Sequence, residues 1–135
     1  MVIIDTSVLI EFFSGRKIKE VFQLIKLLEN RSNIAVCGVI YQEVLQGIDS
    51  DKDFRNIKAI LDEFIYLDFS KHLYLESCQM YRALRKKGVT IRKTHDLQIA
   101  AVAIENNIAL LSRDRDFKNI AKYTRLDLYS EKKKI

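Results

Sequence analysis

The chain has 135 residues, of which 48% are apolar and 30% charged, and carries a formal net charge of +5. This length suits one domain that buries roughly two thirds of its unfolded surface without staples. Two cysteines outside any C-x-x-C pair exclude a disulfide scaffold and a zinc site, and no apolar stretch approaches the ~20 residues of a membrane span; the positive charge permits binding to phosphate backbones without requiring it.

With no proline and four glycines, the chain has no linker, and no repeat is visible. Cys37 and Cys78 fall in apolar stretches and read as small buried hydrophobes, at home in a reducing cytoplasm. The opening run Met1 to Ile4 stops at Asp5 without a basic leader, which argues against a secretory signal. One domain is expected over residues 1–129, followed by a basic tail, 130–135, with Lys132, Lys133 and Lys134.

Val2-Ile3-Ile4 is wholly apolar, as a strand buried on both faces requires. Thr6 or Ser7 can cap the helix that follows. Ile18, Val21, Phe22, Ile25 and Leu28 mark one face of a long helix. Ile34 to Cys37 predicts a second buried strand, and a helix carrying Glu43 and Leu45 runs to Gly47, a plausible C′ glycine. Phe54, Ile57, Leu61 and Phe64 stripe another helix, and Ile65-Tyr66-Leu67 is a third strand. Tyr74, Cys78, Tyr81 and Leu84 stripe the next helix, which ends at Lys86-Lys87-Gly88. Thr94 can cap a helix from about His95 to Glu105 that is apolar almost all round and therefore central; Asn106-Asn107 breaks it. Ile108 to Leu111 is a fourth strand, and Leu126, Leu128 and Tyr129 belong to a fifth, nearer an edge. Strands separated by helices predict an α/β fold with a parallel sheet of four to five strands covered on both faces. Sites in such sheets form at the carboxyl ends of the strands, where the strand order reverses.

Four acids fall at that edge. Asp5 directly follows the first strand, Asp114 lies just beyond the fourth, Asp96 sits in the first turn of the central helix, and Glu43 rides the helix after the second strand. Each has an ordinary reading: Asp5 as a helix cap, Glu43 as a solvated helix acid, Asp96 as a favourable charge at a helix N-terminus, Asp114 as part of a polar turn, with Asp116 a close competitor. Carboxylates that converge oppose one another's ionisation unless a cation neutralises them. Oxygen-only ligands favour Mg²⁺ or Mn²⁺ over zinc. Such ions activate a bound water and clamp the oxygens of a phosphodiester, chemistry that needs neither His nor Cys.

The local strings resemble, in order, the motifs of PIN domains as found in VapC-type toxins of toxin–antitoxin modules. Val2-Ile3-Ile4-Asp5-Thr6-Ser7-Val8-Leu9-Ile10 looks like the opening motif, and Tyr41-Gln42-Glu43-Val44-Leu45-Gln46-Gly47 the second. Thr94-His95-Asp96-Leu97-Gln98-Ile99-Ala100-Ala101 is similar to the third, and Leu110-Leu111-Ser112-Arg113-Asp114-Arg115-Asp116-Phe117 to the fourth. The stretch from Asp96 to Asp114 holds one helix, a turn and one strand, which favours Asp114 over Asp116 as the ligand and leaves Asp116 to support the turn before Phe117.

The resemblance implies a three-layer PIN-like fold and a metal-dependent endoribonuclease. Asp5, Glu43, Asp96 and Asp114 would hold Mg²⁺ or Mn²⁺, with Glu43 completing the shell or orienting the attacking water. It also implies a homodimer, an RNA substrate and a cognate antitoxin. Thr6 would be a hydroxyl near the metal, and Ser112 stands at a position that is often Thr. Gln98 departs from the usual apolar residue and is expected to be a local packing change. Arg92, Lys93, Arg113 and Arg115 could hold substrate phosphates, or be plain surface charge. Lys86-Lys87 reads as a solvated helix end. His95 has no required role, His72 reads as a surface residue, and the aromatic residues are expected to be mostly core. A non-toxin PIN nuclease of RNA processing and a non-catalytic RNA-binding PIN domain are the rival readings. A phosphoacceptor receiver domain would need paired acids after the first strand, where only Asp5 stands.

Overall fold

A computed structural model describes residues 1–131; residues 132–135, with the three lysines of the expected tail, lie outside them. The elements run β1 (Val2–Ile4), α1 (Thr6–Phe13), α2 (Lys19–Glu29), β2 (Ile34–Cys37), α3 (Gly38–Gln46), α4 (Asp51–Glu63), β3 (Ile65–Leu67), α5 (Lys71–Lys86), α6 (Thr94–Glu105), β4 (Ala109–Leu111), α7 (Asp116–Tyr123) and β5 (Asp127–Leu128). The five strands form one parallel sheet in the order β3-β2-β1-β4-β5, flanked by the helices. The expected α/β architecture is therefore present, with all five strands. The chain builds outward from β1 to β3, then returns to place β4 on the other side of β1. The order thus reverses between β1 and β4, where a crevice must open at the carboxyl ends of the strands.

Burial explains the central elements. β1 and β2 are buried along their whole length, and α6 hides Asp96, Leu97 and the run Ile99 to Ala103. Small alanines at 100, 101 and 103 let neighbouring backbones approach; α5 and α7 both pack against this helix. α6 ends at Asn106, and Asn107 adopts φ 53, a left-handed conformation that asparagine tolerates. Gly88, at φ 78, ends α5 in the same way.

Several local expectations are corrected. On α5 the buried side chains are Leu73, Ser77 and Leu84, whereas Tyr74 and Cys78 are exposed. Of the expected stripe Leu84 is buried, while Leu73 and Ser77 replace Tyr74 and Cys78; Ser77 can sit between α5 and α6 because it is small and its hydroxyl donates to the Leu73 carbonyl at 2.9 Å. On α2 the inward residues are Val21, Gln23, Leu24 and Leu27, and Phe22 points out. Apolar residues lie on both sides of either stripe, so periodicity could not choose between them. The cap of α1 is Asp5 rather than Thr6 or Ser7, and that of α6 is Lys93, without a side-chain bond, rather than Thr94. Gly47 caps α3 at φ −86, an ordinary conformation, not the left-handed C′ form. The helix α7 had not been anticipated, although Phe117 and Ile120 bury one face of it.

The corrected face of α5 is open to test. Leu84→Ala should lower stability by about 2–5 kcal/mol. Leu75→Ala, at an exposed position, should change it by less than about 0.5 kcal/mol. Urea unfolding of the two variants measures both; equal losses would place the face wrongly.

Candidate active site

At the reversal point β1 and β4 each release the chain into a polar turn. The Asp5 amide donates to the Leu111 carbonyl at 2.9 Å, so the two turns start side by side. Asp5 is 5% exposed, and its Oδ2 accepts three bonds: from the Ser7 amide at 3.3 Å, the Ser7 hydroxyl at 2.6 Å and the Ser112 hydroxyl at 2.9 Å. Each serine hydroxyl also accepts a backbone amide of the β4 turn, Ser7 that of Arg113 at 3.2 Å and Ser112 that of Asp114 at 3.0 Å. The capping role of Asp5 and its expected site role share one geometry, in which Oδ2 takes all three of these bonds.

Asp96, Asp114 and Asp116 lie together, each offering an oxygen within 4.8 Å of the others. Asp116 stands closer to the cluster than its expected turn-supporting role required. Its amide donates to Asp114 Oδ1 at 2.9 Å, and Arg92 bridges both its carboxylate oxygens at 2.9 and 3.1 Å. Lys93 reaches Asp114 at 2.6 Å and Asp96 at 3.8 Å. Glu43 joins from the other side: Thr6 donates to it at 2.9 Å, and His95 Nε2 stands 3.2 Å from Glu43 and 3.7 Å from Asp96. Asp5 connects to Asp114 through Ser112.

Electrostatics separates two of these acids. Asp96 is raised from 3.8 to about 6, first by burial and further by Asp114 and Asp5, with Lys93 and His95 opposing. Burial also pushes Asp114 up, but the Lys93 hydrogen bond, the Asp116 amide and the charges of Lys93 and Arg92 together hold it below the usual range. The donor set is all oxygen and hard, and one of its buried members is not neutralised by the fold. Both features fit a hard divalent cation.

The expected phosphate-binding residues divide. Arg92 and Lys93 are engaged with Asp116 and Asp114, and Arg113 approaches Glu11 at 3.5 Å; Arg115 is exposed. Sequence reasoning missed the double role of Ser7, read only as a cap, and the bridging place of His95. The only signal for either was adjacency to an acid.

The PIN domain model matches residues 2–123. Ribonuclease VapC11 of Mycobacterium tuberculosis is 31% identical over 96% of this chain and 98% of its own length. Ribonuclease VapC1 of Methanocaldococcus jannaschii is 28% identical over 96% of this chain and 88% of its own. Among solved structures, DNA-bound VapBC from Salmonella typhimurium superposes with a TM-score of 0.78 at 16% identity, over 95% of this chain and 96% of that one, which shows the shared fold.

The raised Asp96 has a consequence for stability. Its carboxyl ionises near 6 in the fold and near 3.8 without it, so the folded state loses stability as pH rises through that window. Above it, the penalty is about 3 kcal/mol. In metal-free buffer Asp96→Asn should be more stable than the parent at pH 7.5, and the gain should vanish near pH 4. Thermal unfolding at both pH values in EDTA checks this; a less stable Asn variant at pH 7.5 would mean that the Lys93 and His95 pairs outweigh burial.

Proposed function

The chain belongs to the PIN-domain family, and on that footing we propose that it is a divalent-cation-dependent endoribonuclease, the toxin of a VapBC-type toxin–antitoxin module. The observation that carries the reading is the arrival of Asp5, Glu43, Asp96 and Asp114 at one sheet edge, joined by hydrogen bonds and ion pairs, in a chain alike over nearly its whole length to proteins named ribonuclease VapC.

Asp96, Asp114 and Asp5 would hold the cation, with Asp116 beside them. Mg²⁺ or Mn²⁺ would supply Lewis-acid polarisation there when bound. Thr6 and His95 fix the Glu43 carboxylate, which is placed to accept the proton of that water. Ser7 and Ser112 hold Asp5 and the β4 turn in register. Arg113, Arg115 and Lys93 offer the phosphate its nearest positive charge.

The unit is taken as residues 1–129, acting in the cytoplasm; among the described residues no helix is long and apolar enough to cross a membrane. An antitoxin partner is supported by a cleft of about 460 Å³ between α1, α3 and α4, where Ile10, Phe13, Val44, Ile48 and Ile57 offer an apolar seat that ends at Glu43. The reading includes a homodimer.

Purified protein should cleave total RNA and a labelled single-stranded RNA with Mg²⁺ or Mn²⁺, and not with EDTA. Asp5→Asn and Asp96→Asn should abolish cleavage, and Ser112→Ala should reduce it by roughly 10–100-fold. Metal-independent cleavage, or full activity in both aspartate variants, would remove this mechanism. Failure to cleave any RNA together with cation binding unchanged in the variants would favour a binding module.

A further inference from the structure

A second cavity, of about 670 Å³, opens at the carboxyl ends of β2 and β3. Its wall holds Tyr66 and Tyr74, which are 55% and 58% exposed, contrary to the expectation that the aromatic residues are core. Phe69 meets Tyr74 edge to face, with ring centroids 4.5 Å apart. Gly38 opens α3 directly beneath Tyr66, whose hydroxyl lies 2.8 Å from where a Cβ added at Gly38 would stand, so the ring rests close against this helix start. Gln42, Asp68 and Gln98 add polar groups to the same wall. Gln98, expected to be a packing change, thus faces a cavity.

None of the four site carboxylates lines this cavity, but the charges of Asp5 and Glu43 reach its Cys37 wall. Gln42 precedes Glu43 on α3, and Gln98 follows Asp96 by two residues on α6. The Cys37 thiol in its wall is pushed up mainly by burial, and the charges of Asp5 and Glu43 add to the shift. From β1, which Asp5 directly follows, to β3 is two strand spacings, ~10 Å. A phosphate would meet Asp68 and the acids beyond it. A flat, neutral heterocycle would meet ring surfaces and amides instead. Single-stranded RNA is recognised in that manner, by stacking on aromatic side chains and hydrogen bonds to exposed base edges.

We propose that this cavity holds one unpaired nucleobase of the RNA next to the scissile phosphodiester, stacked on Tyr66 or Tyr74 and read at its edge by Gln42, Asp68 and Gln98. The assignment rests on the ribonuclease reading above. It makes these residues determinants of where the chain cuts, and separates them from the carboxylates that do the chemistry.

The test measures binding apart from cleavage. In EDTA, anisotropy of labelled single-stranded oligoribonucleotides of each base is compared with an abasic analogue. Base-bearing strands should bind more tightly than the abasic one, with one base preferred. Tyr66→Leu and Tyr74→Leu, each confirmed to melt as the parent, should weaken base-bearing strands roughly tenfold and leave the abasic strand unchanged. Gln98→Ala should change which base is preferred, and cleavage maps with Mg²⁺ should lose their preference at the same position. Equal binding of abasic and base-bearing strands, or no binding of any, would overturn the assignment. So would tyrosine variants that lose a dimer and weaken both strands alike, since the surface would then belong to a contact between copies. A parent that shows this base-dependent binding but never cleaves would sink the nuclease reading alone; one that cleaves with metal but shows no base dependence would sink only this pocket.

Discussion

The arrangement at the sheet edge depends on one constraint: carboxylates are placed where water cannot reach them all. α6 must be apolar nearly all round because β4 and three helices, α3, α5 and α7, enclose it, and Asp96 sits in its first turn at 3% exposure. The helix N-terminus favours a negative charge there, but Asp114 and Asp116 stand in the same space. Lys93 cannot serve both neighbours equally, at 2.6 Å from Asp114 and 3.8 Å from Asp96. The outcome is one acid whose ionised form is favoured and one whose ionisation is opposed, in a polyanionic cluster that the chain's own cations cover incompletely. Such a cluster is stable only as long as the rest of the domain fixes it.

That fixing falls largely to two serines. Ser7 and Ser112 are separated by most of the chain, yet their oxygens lie 3.3 Å apart. Each donates to the same oxygen of Asp5 and accepts an amide from the turn after β4. The pattern ties the start of α1 to the end of β4, so the carboxylate after the first strand and the one after the fourth cannot move independently. A hydroxyl suits the task because one atom donates and accepts at once; an ionised carboxylate can only accept and would leave the Asp5 oxygen without its donor.

The sheet was legible in the sequence because its strands are short apolar runs bounded by helices of different periodicity, and the order of acids along the chain follows the order of strand ends. What stayed hidden was the exact face of amphipathic helices. On α5, Leu73 and Tyr74 are one residue apart and equally apolar, and only the packing of Ser77 against Leu73 and Leu97 decides between them. The role of Asp116 was hidden for a related reason. Its place beside Asp96 and Asp114 depends on α7 starting at that residue and on Arg92 holding it from a loop far away in sequence. The exposed tyrosines around the β3 edge were equally unreadable, since an aromatic in a strand or helix is usually buried.

The basic residues illustrate the same limit from the side of charge. A net charge of +5 suggests free cations for a polyanionic partner, but at this edge much of the positive charge is already committed. Arg92 grips Asp116, Lys93 grips Asp114, and Arg113 and Arg16 share Glu11. These pairs are solvent-exposed on the basic side, with Arg92 and Lys93 side chains 74% and 44% exposed, so each is individually weak and exchangeable. A phosphate that draws Lys93 away must leave Asp114 and Asp96 facing one another, and neutralising those acids by other means frees Lys93. Were a phosphate and a cation both to bind at this edge, their affinities would be linked through one ammonium group, each strengthening the other by the same factor.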